Sequence, residues 1–218
     1  MDMNEGLKVI LFGASGHAKV VLDLCEKIDS LNVVALYDDN QALAGGQLLG
    51  YPIIGGREQW LAAVKDGTLA NVVTIGSNRL RRDIATWILK NGGRLCPALV
   101  HPSAQIGRDV VIGDGTVLMA GTVVNCETHI GANVIINTGA RVDHDCRIGA
   151  GVHVAPGSTV CGGVKIGDFS LIGAGAVICP NLRIGVGAII GAGAVVVRDV
   201  LEGCTVVGVP ARIADKVE

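Results

Sequence analysis

From Ile106 to Val197 the chain reads, at every sixth residue, Ile106, Ile112, Leu118, Val124, Ile130, Ile136, Val142, Ile148, Val154, Val160, Ile166, Ile172, Ile178, Ile184, Ile190 and Val196. Those are sixteen consecutive aliphatic side chains without a slip of phase. In eight of the sixteen cases the next residue is Gly, as at Gly107, Gly113, Gly131 and Gly149. Four residues after each aliphatic the side chain is mostly small or β-branched, as at Thr116, Ala140, Ser158 and Ala194. A period of six belongs neither to a helix nor to an ordinary strand. It is the pattern of a parallel β-helix built from hexapeptides, each supplying one short strand and one corner. Three units close a triangular coil of eighteen residues. The aliphatic side chains stack in columns inside, and Gly and other small residues allow the tight corners. Coils stack at roughly 4.8 Å, so a little over five coils make a prism on the order of 25 Å tall.

Towards the N-terminus the pattern changes. Leu7–Phe12 reads as a buried strand running into Gly13-Ala14-Ser15-Gly16-His17, followed by a helix over Ala18–Lys27 and a strand over Val33–Tyr37 that ends in Asp38-Asp39. Such a strand, Gly turn, helix and strand bring backbone N–H groups and a helix N-terminus to a phosphate, and the acid can take a ribose hydroxyl. The glycines depart from G-x-G-x-x-G, and a bare βαβ unit can equally be structural. Residues 41–56 read as loop, Arg57–Lys65 as a short helix, Val72–Ile75 as a strand ending in Gly76-Ser77-Asn78, Arg79–Lys90 as a helix and Leu95–Val100 as a last strand. His101-Pro102 marks the boundary between a small parallel α/β domain (1–102) and the β-helix domain (103–218). Ligand is expected at the C-terminal ends of the parallel strands, where Gly13–His17, Asp38-Asp39 and Gly76–Asn78 stand. Beyond Val197 the tail is expected to cap the last coil.

Composition narrows the function. The chain has 218 residues, 32 Gly and only 3% aromatic residues, which suits an aliphatic solenoid core. A net charge of −2 indicates neither nucleic acid nor a membrane surface as partner. Apolar runs such as Val9–Phe12 are too short to span a bilayer, and no leader pattern precedes them, so a cytoplasmic location is expected. The seven Cys have no paired spacing and read as free thiols, several of them corner fillers.

The richest polar cluster is Asn137-Thr138 followed by Arg141-Val142-Asp143-His144-Asp145. His144 falls two residues after the inward Val142, so it sits at a corner and points outward. A carboxylate on one imidazole nitrogen sets the tautomer and leaves the other nitrogen as a base, and spacing alone does not choose between Asp143 and Asp145. An imidazole titrating near ~6.5 suits removal of a proton from an attacking amine at neutral pH. A backbone N–H at a Gly-rich corner is a natural oxyanion donor, worth roughly 3 kcal/mol. His153 lies nine residues on, half a coil away, so the two histidines would meet only across an interface between copies. His129 has no acidic partner of that kind and reads as structural. Cys146 adjoins the site, but it has no anchored base apart from His144, which disfavours a covalent acyl-enzyme.

These marks resemble a known family. Gly13-Ala14-Ser15-Gly16-His17, Tyr37-Asp38-Asp39, Ile75-Gly76-Ser77-Asn78, His101-Pro102-Ser103-Ala104, Asn137-Thr138, Asp143-His144-Asp145-Cys146, His153-Val154-Ala155-Pro156-Gly157 and Gly208-Val209-Pro210-Ala211-Arg212 are similar, in kind and order, to NeuD/PglD-like sugar acyltransferases of the hexapeptide superfamily. The resemblance covers essentially the whole chain. It implies a Rossmann-like nucleotide-sugar-binding domain, a left-handed β-helix, and a homotrimer with active sites between subunits. It implies acetyl transfer from acetyl-CoA to the 4-amino group of a nucleotide-linked dideoxy sugar of perosamine or bacillosamine-precursor type. The resemblance assigns the sugar nucleotide to Ser15, Gly16, His17, Asp38, Asp39, Gly76 and Asn137. His144 becomes the general base with Asp145 behind it, and acetyl-CoA falls to His153, Gly173, Ala174, Gly191 and Ala192. Sugar O-acetylation and a non-catalytic nucleotide-sugar-binding role are the alternatives. No metal is implied: the zinc-holding γ-class carbonic anhydrases place two ligands five residues apart, not nine. The phosphate-binding loop of a sugar nucleotidyltransferase is also missing near the N-terminus.

Overall fold

The computed structural model describes residues 6–64 and 67–214. The chain divides after Leu99 into two compact units.

The first unit runs β1 (Leu7–Phe12), α1 (Gly16–Cys25), β2 (Leu31–Tyr37), β3 (Gln47–Leu48), β4 (Tyr51–Gly55), α2 (Arg57–Ala63), β5 (Ala70–Val73), α3 (Asn78–Lys90) and β6 (Arg94–Leu95). The sheet order is β3-β4-β2-β1-β5-β6, parallel except for the β3–β4 hairpin. Chain order runs outward from β1 through β2 to β4, then crosses to β5 and β6. The point of reversal therefore lies between β1 and β5, where ligands of open α/β sheets bind. Ile10 and Phe12 on one side of β1 pack with Trp60, Ile84 and Ile88, while Val9 and Leu11 on the other side are equally buried. The buried Trp60 Nε1–H donates to Asn71 Oδ1 at 2.6 Å, so the indole's polar edge is satisfied inside the core.

Two expectations change here. Residues 41–56 are not loop throughout: they hold a short 3₁₀ turn, Gln41–Leu43, and the β3–β4 hairpin. With only two residues in β3, the hairpin offers no periodicity to read. Leu95–Val100 is not one strand: Arg94–Leu95 pairs with β5, whereas Leu99–Val100 opens a sheet of the β-helix. The expected end of α2 at Lys65 lies outside the described residues.

The second unit is the hexapeptide prism, a left-handed β-helix. Its three faces pair strands in parallel with partners eighteen residues apart, as in Val123↔Arg141, His129↔Arg147 and Ile135↔His153. Face one starts at Leu99–Val100, face two at Gln105–Ile106 and face three at Val111–Ile112. From Leu118 to Val196 every inward aliphatic is buried; Ile106 is exposed on the open first coil. The tail adds Thr205–Val207 to face one and folds Arg212–Ile213 back antiparallel on it, ending that sheet.

Two positions in each repeat have separate physical jobs. The Gly after the aliphatic keeps an ordinary backbone but is pressed by the next coil: a Cβ on Gly113 would stand 2.6 Å from Ala132 N and 2.8 Å from Ala132 Cα. The tight turn is made two residues later, in the left-handed region, by Gly at some corners and by Asp109, Glu127, Asn133, Asp145, Phe169 and Asn181 at others. The turning role that the sequence pattern suggested for the first glycine thus belongs to the later position. Gly113→Ala should lower the unfolding free energy by about 1–3 kcal/mol in a denaturant titration, because the atoms it meets are backbone and cannot rotate away.

Candidate active site

The β-helix corner after Val142 holds His144 in the open, its side chain 55% exposed. Its Nδ1 lies 2.7 Å from Asp145 Oδ2. Asp145 reaches that position from a left-handed backbone, φ 58°. Asp143 is engaged elsewhere: its Oδ1 accepts the Asn125 amide at 2.7 Å and the His144 backbone N–H at 2.9 Å. The choice between the two carboxylates is therefore settled geometrically, with Asp145 on the ring and Asp143 on the backbone. The hydrogen bond that the imidazole donates to Asp145, with the charge of Asp143 behind it, raises the imidazole pKa above its ordinary value. The Asn125 and backbone hydrogen bonds hold the Asp143 carboxyl below the usual range. Among the described residues no hydrogen bond occupies His144 Nε2.

Two neighbours of His144 are invisible to linear reading. A Cβ on Gly162 would stand 2.7 Å from both Cε1 and Nε2 of the ring, so only glycine leaves space there. Asn125 braces Asp143. Each stands one coil from its partner, at a separation of eighteen residues, which is the signal that finds them. Cys146 is buried, donates to Cys161 O at 3.2 Å, and has its thiol pushed up to about 11 by burial. That is the opposite of an activated nucleophile.

His153 opens a strand of face one, so it stands apart from the His144 corner, which follows face two. Asn137 Oδ1 accepts the Thr138 N–H at 2.8 Å, which turns its Nδ2 towards His153 Nε2 at 3.1 Å. With the Asn137 amide N–H as donor, His153 Nε2 is the acceptor of this contact. One coil apart above Asn137 come Ala155, Gly173 and Gly191; Ala174 and Ala192 stack beside the last two. His153, Asn137, Gly173, Ala174, Gly191 and Ala192 thus gather on one edge of the prism.

In the first unit the other candidates gather at the strand ends. Ser15 is the N-cap of α1 with no capping side-chain bond, Gly16 and His17 form its first turn, and Gly76 follows β5. The Gly13 N–H bonds Tyr37 O, Thr74 N–H bonds Phe12 O, and Thr74 Oγ1 donates to Gly13 O at 2.6 Å. Asp38 Oδ2 accepts the Ala14 N–H at 2.7 Å and its Oδ1 accepts the Asn40 N–H at 2.8 Å. Asp38 therefore ties the Gly turn to the end of β2. Asp39 pairs with Arg57 at 3.0 Å, beside a groove of about 490 Å³ lined by Gln41, Ile54, Gly55 and Gln59. The glycines differ in reason. Gly13 has a backbone φ of 114° and a Cβ there would strike Ile75, so the chain's own fold requires that glycine, whereas Gly16 and Gly76 face open space. Arg81, on α3, has no local sequence signal that sets it apart from Arg79 and Arg82. It is buried, and its guanidinium donates to Ile75 O, Gly76 O and Asn78 Oδ1 at 2.8–3.1 Å, shaping the Gly76 turn from below. Burial lowers its pKa to about 10.

Among the described residues, no group of three or more His, Cys, Asp or Glu is arranged to hold a metal ion, and no helix is long and apolar enough to cross a membrane.

Comparison with known proteins agrees with both halves. The PglD N-terminal domain model matches residues 8–88, and the bacterial transferase hexapeptide (six repeats) model matches 127–162 and 163–198. The acetyltransferase domain of PglB from Neisseria gonorrhoeae FA1090 is 37% identical with a TM-score of 0.88, covering 96% of this chain and 100% of that one. PerB from Caulobacter crescentus, solved with CoA and GDP-perosamine, is 38% identical with a TM-score of 0.88, covering 95% and 97%. The chain belongs to the NeuD/PglD-like sugar acetyltransferases. A Bacillus subtilis (strain 168) relative in this group, UDP-N-acetylbacillosamine N-acetyltransferase, is 33% identical over 120 residues, which span 51% of this chain and 51% of that protein.

Two measurements probe the geometry. Proton NMR titration of His144 should give a pKa above ~6.5, falling towards that value in Asp145→Asn; no movement would show that the pair does not form. Arg81→Met should cost about 1–3 kcal/mol in chemical denaturation, since it leaves turn carbonyls without their donor.

Proposed function

We propose that this protein transfers the acetyl group of acetyl-CoA to the 4-amino group of a nucleotide-linked amino-dideoxy sugar of perosamine or bacillosamine-precursor type. The His144–Asp145 pair carries the proposal: an exposed imidazole with one nitrogen held by a carboxylate and the other turned free is built to take a proton. The relatives support the substrate class, because PerB was solved with CoA and GDP-perosamine and the Bacillus protein is named for N-acetylation of a UDP-linked sugar.

In this mechanism the sugar amine attacks the thioester carbonyl carbon while His144 Nε2 takes the proton that nitrogen loses. Asp145 stabilises the imidazolium that results. The tetrahedral intermediate collapses, the C–S bond breaks, and the departing thiolate of CoA receives the proton back from His144. No covalent enzyme intermediate is required, consistent with the buried Cys146 thiol. His153 is assigned to the thioester end of acetyl-CoA, and the edge formed by Gly173, Ala174, Gly191 and Ala192 to its pantetheine arm. Asn137 then acts through His153, by donating to its Nε2.

The nucleotide falls to the strand-end crevice, with the α1 N-terminus from Ser15, Gly16 and His17 offered to its phosphates. Gly16 and Gly76 support this, since nothing in the chain's own packing requires either to lack a side chain. Asp38 serves by holding the turn, and Asp39 stands at the groove. His144 and His153 occupy separate parts of one prism, which supports a homotrimer whose sites combine one copy's His144 with the next copy's His153. A cytoplasmic setting fits seven free thiols.

The test is a screen of GDP-, UDP- and dTDP-linked amino sugars and their hydroxyl-only analogues with acetyl-CoA, followed by thiol release. Transfer should require the amine. His144→Ala should lower kcat by about 10²–10⁴ while CoA still binds, and full activity in that variant would remove His144 from the role. Because the base must be unprotonated, kcat/KM should rise with pH on an acid limb lying above ~6.5, in line with the raised His144 pKa.

A further inference from the structure

One column of the prism carries side chains where the neighbouring corner requires glycine. After face three, the residue following each aliphatic is Gly on five successive coils from Gly113 to Gly185, each pressed by the coil above. After face two the same place reads Asn125, Asp143, Cys161 and Cys179, each one coil above the last. Register carries the steps: Val142 pairs with Val160 and Val160 with Ile178, so Asp143, Cys161 and Cys179 follow in line. Backbone hydrogen bonds hold them, from Asp143 N–H to Val160 O at 2.9 Å and from Cys161 N–H to Ile178 O at 3.1 Å. Side chains in this column reach one another across a coil, since the Asn125 amide meets Asp143 Oδ1 at 2.7 Å. Farther up the column, Cys161 and Cys179 make the same one-coil step. Both are half-buried and free, and the proposed chemistry uses neither.

We infer that Cys161 and Cys179 are a paired oxidation site, which a hydroperoxide closes into a disulfide beside the His144 corner. Coils stand roughly 4.8 Å apart, inside the Cα window of about 4.4–6.8 Å that a disulfide accepts. One thiol attacks the peroxide O–O bond, becomes a sulfenic acid and releases water. The second thiol displaces the sulfenic hydroxyl as another water, and the S–S bond forms. The two sulfurs lose two electrons and two protons in all, and the peroxide is reduced to two waters. Coupling to the corner is mechanical. A disulfide prefers a Cβ–Cβ separation of about 3.5–4.5 Å, less than that of parallel side chains one coil apart, so closure draws residue 161 towards the next coil. Gly162 follows Cys161, and a Cβ on it would stand 2.7 Å from Cε1 and Nε2 of the His144 ring. A shift of that backbone therefore moves the seat of the ring. The other thiol near Cys161 is differently placed: Cys146 is buried and donates to Cys161 O at 3.2 Å. Burial, with Cys179 and Asp143 beside it, raises the Cys161 thiol above its ordinary value, so closure takes sustained exposure to peroxide. Reversible disulfides of this sort are the ones a reducing compartment permits. The effect on catalysis rests on the acetyltransferase function proposed above; the pairing of the two thiols does not.

The experiment treats the reduced full-length protein with hydrogen peroxide, blocks the remaining thiols with iodoacetamide and digests with trypsin. Cleavage after Arg147, Lys165 and Arg183 puts the two cysteines on separate peptides, 148–165 and 166–183, each with no other cysteine. Mass spectrometry should find these peptides joined, two hydrogens lighter than their sum, and dithiothreitol should part them. Closure should also shift the proton NMR signals of His144. It should lower kcat about tenfold or more, because a misplacement of ~1 Å at a reacting group can cost ~10²-fold, and reduction should restore it. Cys179→Ala should keep the kcat of the reduced wild type, give no joined peptide and hold its activity through peroxide treatment. Recovery of Cys161 and Cys179 on unlinked peptides after peroxide overturns the pairing, as does Cys161 joined to Cys146 instead. A closed pair with His144 signals and kcat unchanged overturns the coupling to the corner. If the wild type acetylates no amino sugar, the proposed activity fails on its own, and the peptides and the His144 signals still decide this site.

Discussion

Each coil of the prism is locked to the next by backbone hydrogen bonds between residues one coil apart, such as Asp143 N–H to Val160 O and Cys161 N–H to Ile178 O. Everything else in the second unit depends on that register. A slip of one residue would turn the buried aliphatic columns out to water and push polar corner residues inward. Because the inside is filled by Val, Leu and Ile, chemistry is confined to corners and outer faces. Because the register is regular, any outward position recurs as a column eighteen residues apart. Asn125 below Asp143, Gly162 above His144, and Gly173 and Gly191 above Asn137 are all consequences of the same constraint.

The corner around His144 shows how an exposed histidine is made specific without burial. The side chain is 55% exposed, and its orientation comes from neighbours. Asp145 can reach Nδ1 because its backbone is left-handed, a conformation that this repeat demands at that position whatever residue occupies it. Asp143 cannot compete, since Asn125 and a backbone N–H already hold it. Gly162 gives the ring its space. A carboxylate on each side of a histidine looks symmetric along the chain, and the fold makes it asymmetric.

The first unit uses buried and half-buried polar groups for the same purpose. Thr74, Asp38 and Arg81 bind backbone atoms of the strand-end turns and so determine which N–H groups stay available. The Ala14 N–H is consumed by Asp38. Arg81 lies on the helix that reads Asn78-Arg79-Leu80-Arg81-Arg82, where three arginines look alike. Only helix phase against the sheet distinguishes the one that is buried. The β3–β4 hairpin was equally hidden, because strands of two and five residues in a stretch with five glycines (45, 46, 50, 55 and 56) carry little pattern.

The amino-acid sequence by itself determined the β-helix, its phase, the α/β unit before it and the strand-end turns, because those follow from periodicities and turn residues local to the chain. It also singled out His144, through the rarity of an Asp-His-Asp corner in an aliphatic repeat. Only the tertiary structure decided which carboxylate takes the ring, why Gly162 and Asn125 stand where they do, and which arginine supports the Gly76 turn. Each of those depends on atoms brought together from different coils or elements, and such contacts exist only once the chain has folded.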